Sequence, residues 1–409
     1  MAKFAVFPLR CSVQQYQWGK IGLDSEVARL SQNDPEFQLD SNSPYAELWM
    51  GTHPKSPSRI ADGSNVLLSD WLKSNQWALG SAAAGNDKGQ LPFLFKVLSV
   101  DKALSIQAHP DKKRAEILHA SDPQHYLDPN HKPEMALALT PFEGLCGFRP
   151  IGEIKVFMEN ISELRGIVGT EAADALVETG NVDSLRNCFV NLVRAPDEDV
   201  RAQLASLVEK VEKMKDDAES ERVYLRSLLL RIHLQFPGDV GCFCIYFLNR
   251  LLLEPGQAMF LGPNIPHAYL SGDCIECMAC SDNVVRAGLT PKFKDKETLC
   301  AMLDFAPTSP AERIFKSIRH GNVEIFDPPV EDFSVAMLHL KEKDESLHDL
   351  QPTGGPSIFI VIRGDGSVCD GKSEDFDVKK GSIVFLAANT PLKLCKKSGE
   401  FLLFRAYTV

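Results

Sequence analysis

The sequence predicts a mainly β protein: two barrels of one kind, with an α-helical insertion in the first. Three observations carry that expectation. Strand-like runs punctuated by Pro and Gly dominate up to residue 150 and again from residue 241. Between 151 and 235 apolar residues recur at three- and four-residue spacing with charges between them, the pattern of amphipathic helices. Finally, GQAMFLGPNIPH (256–267) can be laid on GSIVFLAANTPL (381–392) without a gap. Gly256 meets Gly381, Phe260 meets Phe385, Leu261 meets Leu386, Asn264 meets Asn389 and Pro266 meets Pro391. A repeated unit of turn glycine, apolar strand and Pro-terminated loop implies two barrels of the same kind.

Taken in order, KFAVFPLRCSV and PYAELWMG read as short strands, and NVLLSDWLKSNQWA (65–78) as a helix. In the stretch 91–150 apolar and polar residues alternate from Leu98, so Ser105, Gln107 and His109 share one face while Leu104, Ile106 and Ala108 take the other. A short charged helix, DKKRAEILHAS, follows. In KPEMALALT, Lys132 and Glu134 share a face with Ala136 and Ala138, opposite Met135, Leu137 and Leu139. The expected division is a first, discontinuous barrel from 1–150 and 236–309, a helical insertion over 151–235 and a second barrel over 310–409.

Composition bounds the function. The 409 residues are too many for one ordinary core, and 44% hydrophobic with 24% charged residues is a globular balance. A net charge of -11 argues against nucleic-acid and acidic-membrane partners. MAKFAVFPLRC has no sustained apolar run before its Arg, and GCFCIYFLNRLLL is broken by Arg250 and too short to span a bilayer. The expectation is a soluble, cytoplasmic protein. Of the eleven cysteines, Cys274, Cys277 and Cys280 lie in CIECMAC. On a strand Cys277 faces away from the other two, so these read as reduced packing residues rather than metal ligands.

Two polar-faced strands aiming Gln, His, Glu and Lys into one interior are costly unless the groups are paired or bound to metal. With His267 from IPHAYL, the set Gln107, His109, Glu134 and His267 offers N and O donors that suit Zn2+, and would also suit Fe2+, Mn2+ or Co2+. The second copy of the repeat has Leu392 where the first has His267, so one barrel alone is expected to keep a metal. Lys96, Lys132 and Arg286 lie near these ligands, with Lys292 beyond and Ser105 as a hydroxyl donor. Cations gathered in an acidic protein point to an anionic substrate such as a phosphate ester. Trp18, Glu47, Trp49 and His53 are close in sequence and could line a pocket, as could Tyr269, which shares a face with His267.

The stretches QQYQWGK, PYAELWMGTHP, LPFLFKVLS, LSIQAHPDK, NHKPEMALALTPFEGLCGFRP and PHAYLSGDCIECMACSDNVVRAGLTPK resemble type I phosphomannose isomerases of the eukaryotic kind. The resemblance runs the length of the chain and is least distinctive in the helical region and over 306–355. It implies a catalytic cupin (jelly-roll) barrel, a helical insertion, a second cupin-like barrel, and one Zn2+ per chain. It also implies interconversion of mannose 6-phosphate and fructose 6-phosphate. By that resemblance the zinc ligands fall on Gln107, His109, Glu134 and His267, the catalytic arginine on Arg286, and active-site lysines on Lys96, Lys132 and Lys292. Isomerisation would pass through an enediol(ate), with Arg286 stabilising its oxygens. The base stays open among Lys132, His53, Glu276, Asp282 and a zinc-bound water, with Lys132 favoured. Lys96, Lys292 and Ser105 are assigned to phosphate or hydroxyl contacts, and a monomer is expected. Two other classes remain on sequence grounds, an Fe2+ cupin dioxygenase and a non-catalytic sugar-phosphate binder.

Overall fold

In the computed structural model, which describes residues 5–83, 86, 88–371 and 375–408, the strands gather into two large sheets. One has the order Ile314–Phe315, Ala258–Leu261, Glu134–Ala138, His267–Ala279, Phe93–Val100, Glu47–Met50 and Ser12–Gln14. Phe142–Phe148 joins it through the long strand His267–Ala279, as does Ile106–Ala108, which also pairs with Val285–Gly288. The other is built from C-terminal strands, with Ser334–Leu340, Leu392–Tyr407, Ser357–Cys369 and Ile383–Leu386 in succession. The mainly β class with a helical region is therefore what the chain adopts.

The strand Glu134–Ala138 shows why alternation is informative even where every residue is buried. Ala136 and Ala138 pack in a cluster with Leu98, Val100, Cys146 and Tyr269, while Met135 and Leu137 pack in another with Phe95, Phe385 and Phe404. Each sheet face buries its own set, the period-2 consequence of the pleat. Cys274 joins the first cluster and Cys277 the second, so the two do point to opposite faces. All eleven cysteines are free.

From Ile151–Asn160 to Arg226–Gln235 the chain is helical. The helix Val182–Arg194 buries Leu185, Cys188, Phe189, Leu192 and Val193 along one stripe, and Asn181 caps its start by accepting from the Ser184 amide. These helices share a core with Ile106, Ala108 and Val285, so the back of the Gln107 strand is sealed by the insertion. The segment 65–78 is helical in two pieces, Leu68–Ser74 and the start of the 3-10 element Gln76–Ala83.

The expected division of the chain is crossed in both directions. The strand Val6–Arg10, assigned to the first barrel, pairs with Ile383–Leu386 of the second. Ile314–Phe315, assigned to the second, pairs with Ala258–Leu261 of the first. Phe7 stacks on Phe385 at 5.1 Å and meets Trp71 edge-on, which fixes that strand against the C-terminal sheet.

The internal repeat is also structural. Ala258–Leu261 and Ile383–Leu386 occupy the matched positions, and the next strands begin at the matched His267 and Leu392. Gly256 and Gly381 have φ of 88° and 84°, and Asn264 and Asn389 have φ of 66° and 57°. Left-handed backbone at both turn residues explains why Gly and Asn recur there.

Candidate metal centre

Strand register assembles the site. Trp49, Lys96, Glu276 and Ala136 lie side by side across four strands, and Glu134 stands two residues from Ala136 on the same face. Gln107 pairs with His267 on one side and Arg286 on the other. Residues distant in sequence thus converge on one barrel interior.

His109, Glu134 and His267 form, among the described residues, the group whose donor atoms lie close enough to share a metal ion, all within 4.8 Å of one another. His109 Nε2 is 3.2 Å from Glu134 Oε1, and His267 Nε2 is 3.5 Å from Oε2. The other ring nitrogens are held by main-chain carbonyls. His109 Nδ1 donates to Asn283 O at 2.7 Å and His267 Nδ1 to Ile265 O at 2.8 Å. Those contacts fix the tautomer in which both Nε2 atoms present lone pairs inward, as metal-ligating imidazoles need. His267 Nε2 is buried without a hydrogen-bond partner, an orphan that a cation would satisfy. Burial pushes His109 down to about 4, so it stays neutral. Burial works against the charge of Glu134, yet its carboxyl is held well below its usual range, with the Lys132 ammonium beside it favouring the anion. Two imidazole nitrogens and a carboxylate fit Zn2+.

Gln107 is placed as a fourth member with its amide nitrogen 3.5 Å from His109 Nε2 and its oxygen accepting from Ser105 Oγ at 2.9 Å. A 180° turn of the amide would offer the oxygen to a metal and the NH2 to Ser105. Lys132 Nζ lies 3.2 Å from Glu134 Oε1, and the Tyr269 hydroxyl donates to Oε2 at 3.4 Å.

Lys96 is placed differently from its sequence assignment. It is buried between Glu276 Oε2 at 2.9 Å and Glu47 Oε2 at 3.3 Å, with its ammonium over the Trp49 ring. Burial opposes its charge, but the two carboxylates outweigh that and raise its pKa. Burial in turn pushes Glu276 up despite Lys96. His53 meets Trp49 edge-on and faces Asp282 Oδ1 at 3.6 Å, while Lys55 holds Oδ2 at 2.9 Å. Arg286 is half-buried, makes no ion pair among the described residues, and has its pKa lowered by burial. Lys292 is exposed on the loop beyond it, and Trp18 packs against the cluster that contains Tyr269.

Trp49, which the sequence places beside Glu47 and His53, donates its indole N–H to Glu47. Sequence reasoning missed Asn283, whose carbonyl orients His109. A carbonyl contact leaves no sequence signal. A cavity of about 1580 Å³ elsewhere, lined by Arg10, Trp71 and Lys379, contains none of these residues.

Comparison with known proteins agrees with this construction. The family model of the phosphomannose isomerase type I catalytic domain matches residues 6–151, and that of the helical insertion domain matches residues 167–248. Mannose-6-phosphate isomerase of Homo sapiens is 46% identical over 99% of both chains, and that of Aspergillus fumigatus is 40% identical over 98% of this chain and 95% of its own. A crystal structure of the Salmonella typhimurium enzyme bound to its substrate f6p and zinc superposes with a TM-score of 0.84, at 32% identity and over 99% of each chain. With matches of this extent at the level of sequence, domain and fold, the chain belongs to the type I phosphomannose isomerase family.

Proposed function

We propose that this chain interconverts D-mannose 6-phosphate and D-fructose 6-phosphate with one zinc ion held by Gln107, His109, Glu134 and His267. Family membership supports the reaction. The observation that carries the metal assignment is the buried, partnerless Nε2 of His267, aimed at Glu134 while Nδ1 is fixed on a carbonyl. Zinc bound there would supply Lewis-acid polarisation of a substrate oxygen.

The protein's own groups do the rest. Isomerisation opens the sugar ring and moves a proton between C1 and C2 through a cis-enediol(ate). Lys132, beside Glu134 on the interior face, is the base we favour; Glu276, His53 and Asp282 are alternatives, Glu276 because burial helps it hold a proton. Arg286 is a permanent cation with no ion-pair partner among the described residues, and its donors suit the developing enediolate oxygens. Lys292, exposed at the rim, suits the phosphate. Ser105 offers a hydroxyl contact, Trp18 and Tyr269 flank the sugar, and Lys96 acts through Glu47 and Glu276 rather than on phosphate.

The product would feed GDP-mannose synthesis and glycosylation. Eleven free cysteines support a reducing, cytoplasmic setting. A coupled assay of mannose 6-phosphate to fructose 6-phosphate tests the reading, run as isolated, after chelation, and after adding Zn2+. Activity lost and restored is expected. Full zinc occupancy without turnover would overturn the reaction, and activity indifferent to chelation would overturn the metal assignment.

A further inference from the structure

We propose that the second barrel holds an anion-binding site of its own, centred on Arg405, for a small organic oxyanion with an apolar body. The repeat locates it. Leu261 faces Glu134 across the first sheet, and its counterpart Leu386 faces Ser357 across the second. Ser357 therefore stands where the first barrel has the carboxylate of its metal group, and Leu392 stands where it has His267. The second barrel has lost both donors.

A fixed cation stands beside Ser357. Arg405 is 4% exposed, and its Nε donates to Ser357 Oγ at 2.9 Å. Nη1 donates to Gln351 O at 2.7 Å and Nη2 to Thr353 Oγ1 at 3.2 Å. Every one of these acceptors is neutral. Among the described residues no carboxylate pairs with Arg405, although Asp349 lies at the rim, and burial pushes its pKa down to about 10. A buried guanidinium without a counter-charge is expensive to keep, and an anion from solution is the partner such a group lacks.

Arg405 also lines a cavity of about 540 Å³. Val323, Ile325, Ala336, Leu338 and Leu403 form its wall, with His320, His348 and Tyr407 also lining it. Three of the five N–H groups of Arg405 are used inside the protein, which leaves one on each terminal nitrogen. Such an edge suits the two oxygens of a carboxylate or phosphate, and the apolar wall suits an attached hydrocarbon. A purely structural arginine, tying the 351–357 segment to the sheet, would need no such cavity.

The proposal stands whether or not the first barrel isomerises sugar phosphates. Phenyl phosphate and benzoate are titrated by calorimetry into the full chain carrying Arg286→Ala and Lys292→Ala, which weakens anion binding at the first barrel. Saturable binding of either probe is expected, weakened about tenfold or more by adding Arg405→Met or the cavity-filling Leu338→Trp. Which probe binds tells carboxylate from phosphate. No saturable binding of either, or equal affinity with and without Arg405→Met, overturns the site. Because Arg405→Met could misfold, crystals of the unsubstituted protein are also soaked in selenate and read by anomalous scattering. A peak against the Arg405 guanidinium supports the site; peaks confined to other places overturn it.

Discussion

The ammonium of Lys96 lies 2.9 Å from Oε2 of Glu276 and 3.3 Å from Oε2 of Glu47, with all three side chains buried. Two carboxylates share one cation, so removing the cation leaves both uncompensated. Lys96→Ala should lower unfolding stability by roughly 3–5 kcal/mol, measured by urea denaturation at neutral pH. A loss under about 1 kcal/mol, the range of a surface pair, would refute the arrangement.

The metal group makes a graded prediction. Glu134→Gln and His267→Ala should each lower bound zinc well below one per chain, read by elemental analysis. Asn283 lies one step out: its side chain donates to Asp128 O at 2.6 Å and Asn130 O at 2.9 Å, anchoring the carbonyl that orients His109. Asn283→Ala should then weaken zinc affinity by about 10- to 100-fold in competition with a chelator. Unchanged affinity would mean the carbonyl holds its place without that anchor.

Arg286 and Lys292 should separate kinetically. Arg286→Lys keeps the charge but loses the planar fork, and should cut kcat by about 100-fold or more if the group acts on the enediolate. Lys292→Ala should raise KM for sugar phosphate more than it lowers kcat. A loss mainly in kcat would remove Lys292 from phosphate binding.

His53 provides the pH test. Burial lowers its pKa from the ordinary value, and Asp282 partly opposes that. As pH falls below about 6.5 the unfolded chain takes up this proton before the folded one, so His53 contributes a loss of stability toward acid. Asp282→Asn should lower the His53 midpoint further, followed by NMR of the ring. A midpoint that rises would show that Asp282 does not act on His53.

The two repeat glycines share a left-handed φ but not their surroundings. A Cβ on Gly381 would sit 2.1 Å from Leu30 O, whereas on Gly256 its nearest neighbour is Met337 Cε at 3.7 Å. Gly256→Ala should cost about 1–2 kcal/mol from backbone strain alone, and Gly381→Ala clearly more, compared by denaturant midpoints. Equal costs would mean that the 30–37 segment yields easily.

Sequence alone determined what depends on local period. Alternation put Glu134 with Ala136 and Ala138, Gln107 with His109, and Cys277 opposite Cys274, because the pleat sets side-chain direction two residues at a time. The gapless match of 256–267 to 381–392 likewise carried the two turns and their strands, since left-handed positions restrict the residues that can occupy them. Tertiary structure decided the rest. Val6–Arg10 joined the C-terminal sheet because its partner is chosen by packing of Phe7 on Phe385, far along the chain. Lys96 met two carboxylates through cross-strand register, not through neighbours in sequence. The tautomers of His109 and His267 were set by carbonyl oxygens of Asn283 and Ile265, and every residue has a carbonyl, so no side-chain pattern announces them. Arg405 became a site candidate only once its position beside Ser357, without a carboxylate, could be seen.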